Sequence, residues 1–124
     1  MAGERVLVVE DNDKNMKLIR DVLQATGYDT VEASTGDDAV KLAVSQAPAL
    51  VLMDVQLPGI DGVEALARLR DDERTASIPV LALTAQAMHG DRERFLAAGF
   101  DGYLSKPVDV AELLRTVEEY CNRG

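Results

Sequence analysis

The stretch LVLMDVQLP, residues 50–58, decides the fold. Leu50, Val51, Leu52 and Met53 form a continuous apolar run, the pattern of a strand buried on both faces. The run ends on Asp54, and Pro58 follows four residues later. A carboxylate in such a place is costly unless it is paired or bound to a metal. Either Asp54 caps a strand at the surface, or the fold holds a carboxylate at the strand's end for chemistry.

Working outward, short β-branched runs alternate with helical patterns five times. VLVV (6–9), YDTVEA (28–33), ALVLM (49–53), PVLALT (79–84) and DGYLS (101–105) read as strands. Residues 13–26, 37–47, 62–73, 88–98 and 109–122 read as helices. The last shows Val110, Leu113, Leu114, Val117 and Cys121 on one stripe, and the first has Leu18, Ile19, Val22 and Leu23 as its inward face. Gly27 and Gly99 stand where left-handed helix C-caps are expected. This alternation predicts an α/β fold, (βα)₅, with a doubly wound, parallel five-stranded sheet covered by helices on both faces. The first, third and fourth strands are the most apolar and are expected at its centre.

Composition narrows the function classes. With 47% hydrophobic and 28% charged residues in 124, the chain can build a real core and is not a disordered one. A formal charge of -9 argues against nonspecific binding to nucleic acid or anionic membrane and favours a cation or a basic partner face. The single cysteine, Cys121, excludes an internal disulfide and a multi-cysteine zinc site, and reads as a small core hydrophobe. No signal peptide is visible, and the longest uncharged stretch, 75–90, contains Pro79 and falls short of the ~20 apolar residues a bilayer span needs. The expectation is a cytoplasmic protein with one domain over residues 1–124, no linker and no output domain.

In open parallel sheets, ligands bind outside the carboxyl ends of the strands. The first strand delivers Glu10 and Asp11 there, the third Asp54, the fourth Thr84, and the fifth Ser105, Lys106 and Pro107. Each piece alone has a bland reading: an acid pair as a solvated turn, a Lys-Pro as a turn, a strand-end threonine as nothing. Their common edge is what matters. Close carboxylate pairs repel by roughly 4 kcal/mol at 4 Å and an effective dielectric near 20, so the cluster must take up protons or bind a cation. Oxygen ligands without histidine or cysteine favour Mg²⁺ or Mn²⁺. With Lys106 as a fixed positive charge and Thr84 as a donor, the parts suit phosphoryl transfer, with Asp54 as nucleophile.

These residues stand in VVEDN, LMDVQLPGIDG, LTAQAM and GYLSKP, and in that order and spacing the chain resembles the receiver domains of two-component response regulators, over essentially its whole length. EDNDKNMKL and AMHGDRERFLAAGFDGYLSKP are similar to stand-alone receivers of the DivK type and to receivers fused to hybrid kinases. The resemblance implies a flavodoxin-like, CheY-like sheet and a signalling phosphoacceptor rather than an enzyme. It implies that Asp54 takes a phosphoryl group from a phosphohistidine of a histidine kinase or phosphotransfer protein. Glu10, Asp11, Asp54 and the main-chain carbonyl of Gln56 would hold Mg²⁺. Thr84 and Lys106 would bind the phosphoryl oxygens, Tyr103 would follow Thr84 inward, and the Lys106–Pro107 peptide would be cis. Gln56 and Gln86 occupy the places that tune loss of the phosphoryl group. The switched surface, formed by the fourth helix, fifth strand and fifth helix, would meet a downstream protein, with no direct nucleic-acid target and no membrane insertion. Asn12 reads as a helix cap or ligand-orienting residue, and Asn12, Asn15, Met16 and Pro107 are candidate partner contacts; Met16, at the edge of the buried stripe, reads alternatively as a gap-filler. His89 reads as a surface residue.

Within the receiver reading, the chain could equally be a relay intermediate that passes the phosphoryl group onward. The rival from another class is an aspartate-nucleophile phosphatase of the haloacid-dehalogenase kind, which wants a second aspartate where Gln56 stands. A flavodoxin-like redox carrier would meet repulsion from EDNDKN, and no GKS or GKT loop exists for a nucleotide hydrolase. Ser-His-Asp hydrolysis is improbable with His89 alone, and a pseudo-receiver is disfavoured because none of the five site residues is missing.

Overall fold

The computed structural model describes residues 4–85 and 91–121; Gln86 and His89 lie outside them. The elements alternate strictly: β1 (Arg5–Val9), α1 (Asp13–Ala25), β2 (Asp29–Ala33), α2 (Gly36–Gln46), β3 (Leu50–Asp54), α3 (Gly62–Asp71), β4 (Val80–Thr84), α4 (Asp91–Ala98), β5 (Gly102–Ser105) and α5 (Val110–Cys121). All pairings are parallel and the order is β2-β1-β3-β4-β5, so the three most apolar strands are central as expected.

Alternation along each central strand feeds two cores. Leu7, Val9, Val51, Met53, Val80 and Ala82 point to one face, covered by Ala39 and Ala43 of α2, Ala65, Leu66 and Leu69 of α3, and Phe95 of α4. Val6, Val8, Leu50, Leu52, Leu81 and Leu83 point to the other, covered by Met16, Ile19 and Leu23 of α1 and Leu113 and Val117 of α5. Cys121 is half-buried against this second core, and burial pushes its thiol up to about 11, which suits a packing role. No described helix is long and apolar enough to cross a membrane.

Two expectations about helix faces need correction. Leu18 is 41% exposed and Val110 is 43% exposed, so neither belongs to an inward stripe. The Asn12 side chain accepts from the amides of Lys14 and Asn15 and starts α1 at Asp13; the buried positions are then Met16, Ile19 and Leu23, with Leu18 turned outward. Val110 opens α5 before that helix reaches the sheet. Gly27 and Gly99 do take positive φ, 97° and 111°, just past α1 and α4. Ala47 does so as well, at 46°, in ending α2.

At the edge where the strands begin, Arg70 of α3 is bonded by the ends of several elements. Its guanidinium donates to the carbonyls of Ala76, Ile78 and Gly99 and to the Asp101 carboxylate. Asp101 in turn accepts from the Val80 amide at 2.8 Å, and the Tyr120 hydroxyl donates to the Asp101 carbonyl at 2.9 Å.

At the opposite edge, α3 starts against the backbone that carries Asp54. A Cβ on Gly62 would lie 2.4 Å from the Asp54 carbonyl oxygen and 2.8 Å from Val55 Cα, both backbone atoms that no rotamer change can move. Gly62→Ala is expected to cost about 3 kcal/mol or more, as overpacking that only a backbone shift can relieve. Urea unfolding checks it; a loss below 1 kcal/mol would mean that the helix start is free to slide.

Candidate functional site

Pairing register brings the acids together. Val9 stands opposite Met53 and Asp54 opposite Leu83, so the residues that leave β1, β3 and β4 emerge side by side. Thr84 pairs with Ser105, and the Lys106 amide donates to the Thr84 carbonyl at 2.8 Å. The Lys106–Pro107 peptide is cis.

Glu10 is 2% exposed and Asp54 4%, and Lys106 lies between them. Its Nζ donates to Glu10 Oε1 at 2.7 Å, to Glu10 Oε2 at 3.0 Å and to Asp54 Oδ2 at 2.8 Å. The other Asp54 oxygen, Oδ1, accepts the Gln56 amide at 2.9 Å. Thr84 is buried at the same mouth, while Asp11 is exposed. Oxygens of Glu10, Asp11 and Asp54 all lie within 4.8 Å of one another. A set of oxygens alone, with one member open to solvent, fits a hard divalent cation that keeps part of its hydration.

Burial sets the protonation of the pair. Burial, then the hydrogen bond shared with Asp54, raises the Glu10 carboxyl from 4.5 to about 7, against the opposing pull of Lys106 and Asn15. Burial also acts to raise Asp54, but the hydrogen bonds from Glu10, Lys106 and the Gln56 amide outweigh it and hold Asp54 below its ordinary value. Burial pulls the Lys106 ammonium down, and its two carboxylate partners more than restore it, so it is raised overall. Below about pH 7 the proton therefore favours Glu10 over Asp54. The arrangement favours the charged form of Asp54 in a nearly dry place.

A pH dependence follows. Glu10 has a folded value above its unfolded one, so the stability gained by holding its proton is full below about 4.5 and is lost as pH rises through about 7. A cation in the acid cluster must displace that proton. Divalent-cation affinity is expected to rise by up to about tenfold per pH unit below 7 and to level off above it. Calorimetric titration between pH 5.5 and 8.5 checks this, and a flat profile would show that Glu10 is already ionised in the metal-free protein.

The remaining candidates divide. Asn12 is the cap of α1 and Asn15 is half-buried, one turn inside the helix, on the side of Glu10. Met16 is only 7% exposed and packs into the core between α1 and the sheet; of its two readings, gap-filler fits this burial and partly exposed docking contact does not. Tyr103 is half-buried on β5 against the other core, Pro107 and the Gln56 side chain are exposed, and Gln86 falls outside the described residues. Sequence reasoning missed Gly62 and its close approach to Asp54, for which no spacing pattern gives a signal.

Comparison with known proteins agrees with this geometry. The family model described as the response regulator receiver domain matches residues 6–118. The chain is 46% identical, over 93% of its length and 94% of the relative's, to the polar-differentiation response regulator DivK of Brucella ovis. Among solved structures it is similar to the receiver domain of sensor histidine kinase PA1611 from Pseudomonas aeruginosa, which was crystallised with a magnesium ion coordinated in its active-site cleft. The TM-score is 0.89 at 40% identity, covering 97% of this chain and 98% of that one. It is also similar to the chemotaxis response regulator CheY4 of Vibrio cholerae, at a TM-score of 0.89 and 26% identity, covering 96% and 99%.

Proposed function

The chain belongs to the response regulator receiver family, and from that premise we propose that Asp54 accepts a phosphoryl group from a phosphohistidine, with Mg²⁺ held by Glu10, Asp11, Asp54 and the Gln56 carbonyl. The observation that carries this reading is the Asp54 carboxylate itself. It is buried, its partners hold its carboxyl below the ordinary value, it lies in bonding contact with Lys106, and it shares its mouth with two further acids.

In the transfer, an Asp54 oxygen forms a bond to phosphorus as the bond from phosphorus to the imidazole nitrogen breaks, and the electron pair leaves with that nitrogen. A bound Mg²⁺ would supply neutralising charge for the phosphoryl oxygens. Lys106 holds the Asp54 carboxylate in place before transfer and pairs with a phosphoryl oxygen afterwards. The Thr84 hydroxyl bonds another, drawing Thr84 toward Asp54 and Tyr103 after it. The change spreads to the surface of α4, β5 and α5, where a downstream protein docks. Turning a 1:99 balance of states into 99:1 there requires about 5.5 kcal/mol of difference in binding. The partners of this reading are a histidine kinase or phosphotransfer protein and a protein target in the cytoplasm, with no enzymatic turnover of a separate substrate.

The 40% identity to a receiver carried by a sensor kinase favours a second reading, a relay intermediate that returns the phosphoryl group to a phosphotransfer histidine. The test of the common core is incubation with acetyl phosphate and Mg²⁺, read by intact mass. One added phosphoryl group that disappears with chelator supports the proposal. Absence of any adduct, both with this donor and with a phosphorylated histidine protein, rejects it.

A further inference from the structure

After Asp54 the chain leaves the sheet and runs through residues 55–61 before α3 begins. This segment carries the Gln56 amide that bonds Asp54, so its placement sets the acceptor's surroundings. Its base is fixed: the Val55 amide donates to the Leu83 carbonyl at 3.2 Å, and the Gly62 amide to the Val55 carbonyl at 3.1 Å. Its far side rests on a different element. Gly36, the first residue of α2 and buried, faces Ile60 so closely that a Cβ would lie 2.5 Å from Ile60 Cγ1, 2.9 Å from its carbonyl oxygen and 3.1 Å from Cδ1. Real Cβ atoms do not approach that near, so the loop's backbone and side chain together occupy the room a side chain on residue 36 would need.

Ile60 is half-buried and packs with Val55 and Leu57 against the core under α2 and α3. These three apolar side chains alternate with exposed Gln56, Pro58 and Gly59, so the loop has an inner face, and its fit against Gly36 limits how deep that face can sit. Gly59 takes φ 77°, which turns the chain just before Ile60. Thr35 caps α2 by accepting from the Asp38 amide, which fixes the helix start that Ile60 meets.

We propose that Gly36 is a positioning residue for the phosphoacceptor: its contact with Ile60 seats the loop that presents the Gln56 backbone to Asp54. The idea deepens the receiver reading and rests on it for its kinetic consequence, whereas its structural consequence stands alone. Gly36 touches no reacting atom and acts through Ile60.

The contact can be broken from either side. Gly36→Ala overfills it and Ile60→Ala empties it, so failure of one variant to fold leaves the other. Gly102→Ala serves as the control, because its Cβ would meet the Tyr120 hydroxyl at 3.0 Å and Leu81 Cδ2 at 3.2 Å, a tight fit remote from the loop. Each variant is assayed for the chemical shift and exchange rate of the Gln56 amide, for Mg²⁺ affinity and for the acetyl phosphate rate, at a temperature where all are folded. The expected result is a displaced, at least tenfold faster exchanging Gln56 amide in both loop variants, and phosphorylation slowed about tenfold. The control should be unchanged in both respects. The double variant Gly36→Ala/Ile60→Ala should match Ile60→Ala rather than the product of the two losses, as for residues in contact. A Gln56 amide unmoved in both loop variants overturns the proposal, whether or not the wild type is phosphorylated. So does a slowing that Gly102→Ala reproduces. Failure of the wild type to take up a phosphoryl group from acetyl phosphate and from a phosphorylated histidine protein, with the amide displaced, would reject the receiver chemistry and leave the loop contact standing.

Discussion

Asp54→Asn is expected to abolish phosphoryl uptake completely while leaving the fold intact. The carboxamide has the shape of the carboxylate, so its oxygen can still accept from the Gln56 amide or from Lys106, and its NH₂ can donate to Glu10, the neighbour that shares a hydrogen bond with Asp54. What disappears is the ionised oxygen that could attack phosphorus. No other carboxylate can replace it. Glu10 holds a proton up to about 7 and is bonded through both oxygens to Lys106, and Asp11 is exposed at the rim. Loss of one negative charge also relieves Glu10, which should ionise at a lower pH and pair with Lys106 alone. The variant should therefore be as stable as the wild type, or more so, at pH 8. Intact mass after acetyl phosphate treatment and urea unfolding at pH 8 check both halves. An adduct surviving in Asp54→Asn would place the acceptor elsewhere, with Glu10 or Asp11 the next residues to replace.

Lys106→Met is expected to give the second largest effect, and a pH-dependent one. The ammonium is the shared partner of two nearly buried carboxyls, and the side chain of Lys106 is itself only 16% exposed. Removing one member of such a set typically costs about 3–5 kcal/mol when the remaining charges stay unpaired. Here the cost is softened at low pH, because Glu10 can hold a proton and donate to Asp54. Without Lys106 the pair's upper value moves still further above 4.5, so the stability tied to that proton is full in acid and lost as pH climbs past 7. The deficit should be near 3 kcal/mol at pH 8 and clearly smaller at pH 6. Phosphorylation should slow by on the order of 10²-fold, the usual consequence of losing one fixed charge on a developing anion. Mg²⁺ should bind more tightly, since no internal cation competes for Glu10 and Asp54. Equal stability losses at pH 6 and pH 8 would mean that Glu10 and Asp54 do not share a proton.

Much of this site could be read from the chain because a parallel sheet sends every strand out at the same edge. Once VLVV and ALVLM were strands, Glu10 and Asp54 had to leave the sheet at one edge, and Thr84 and Lys106 followed from the next two; that β1 lies directly beside β3 is visible only in the fold. Asn12 was legible too, since a cap needs only a side-chain acceptor before a helical pattern. Helix rotation was less so. Leu18 is as apolar as Ile19, and which of them turns inward is set by where the capped helix begins and how it meets the sheet, a tertiary property. The same limit left Met16 open between docking contact and gap-filler until its depth was seen. Gly36 and Gly62 read only as small residues, because close approach involves a partner distant in sequence or backbone geometry that no periodicity encodes. The sharing of one ammonium by two acids, and the split in their protonation, required the third dimension as well.

The two edges of the sheet also differ in what their bonds permit. Where the strands begin, a single guanidinium is engaged by three carbonyls and a carboxylate, and that carboxylate holds the first amide of β4. These are neutral main-chain partners for the most part, indifferent to phosphorylation. Where the strands end, the bonds join ionic side chains, which would have to exchange partners if Asp54 took up a phosphoryl group as proposed. The start of β4 and the chain leading into β5 are thus tied together through Arg70 and Asp101. If phosphorylation displaced Thr84 as proposed, β4 and β5 would stay held where they begin, and the strain would fall on the ionic edge where they end.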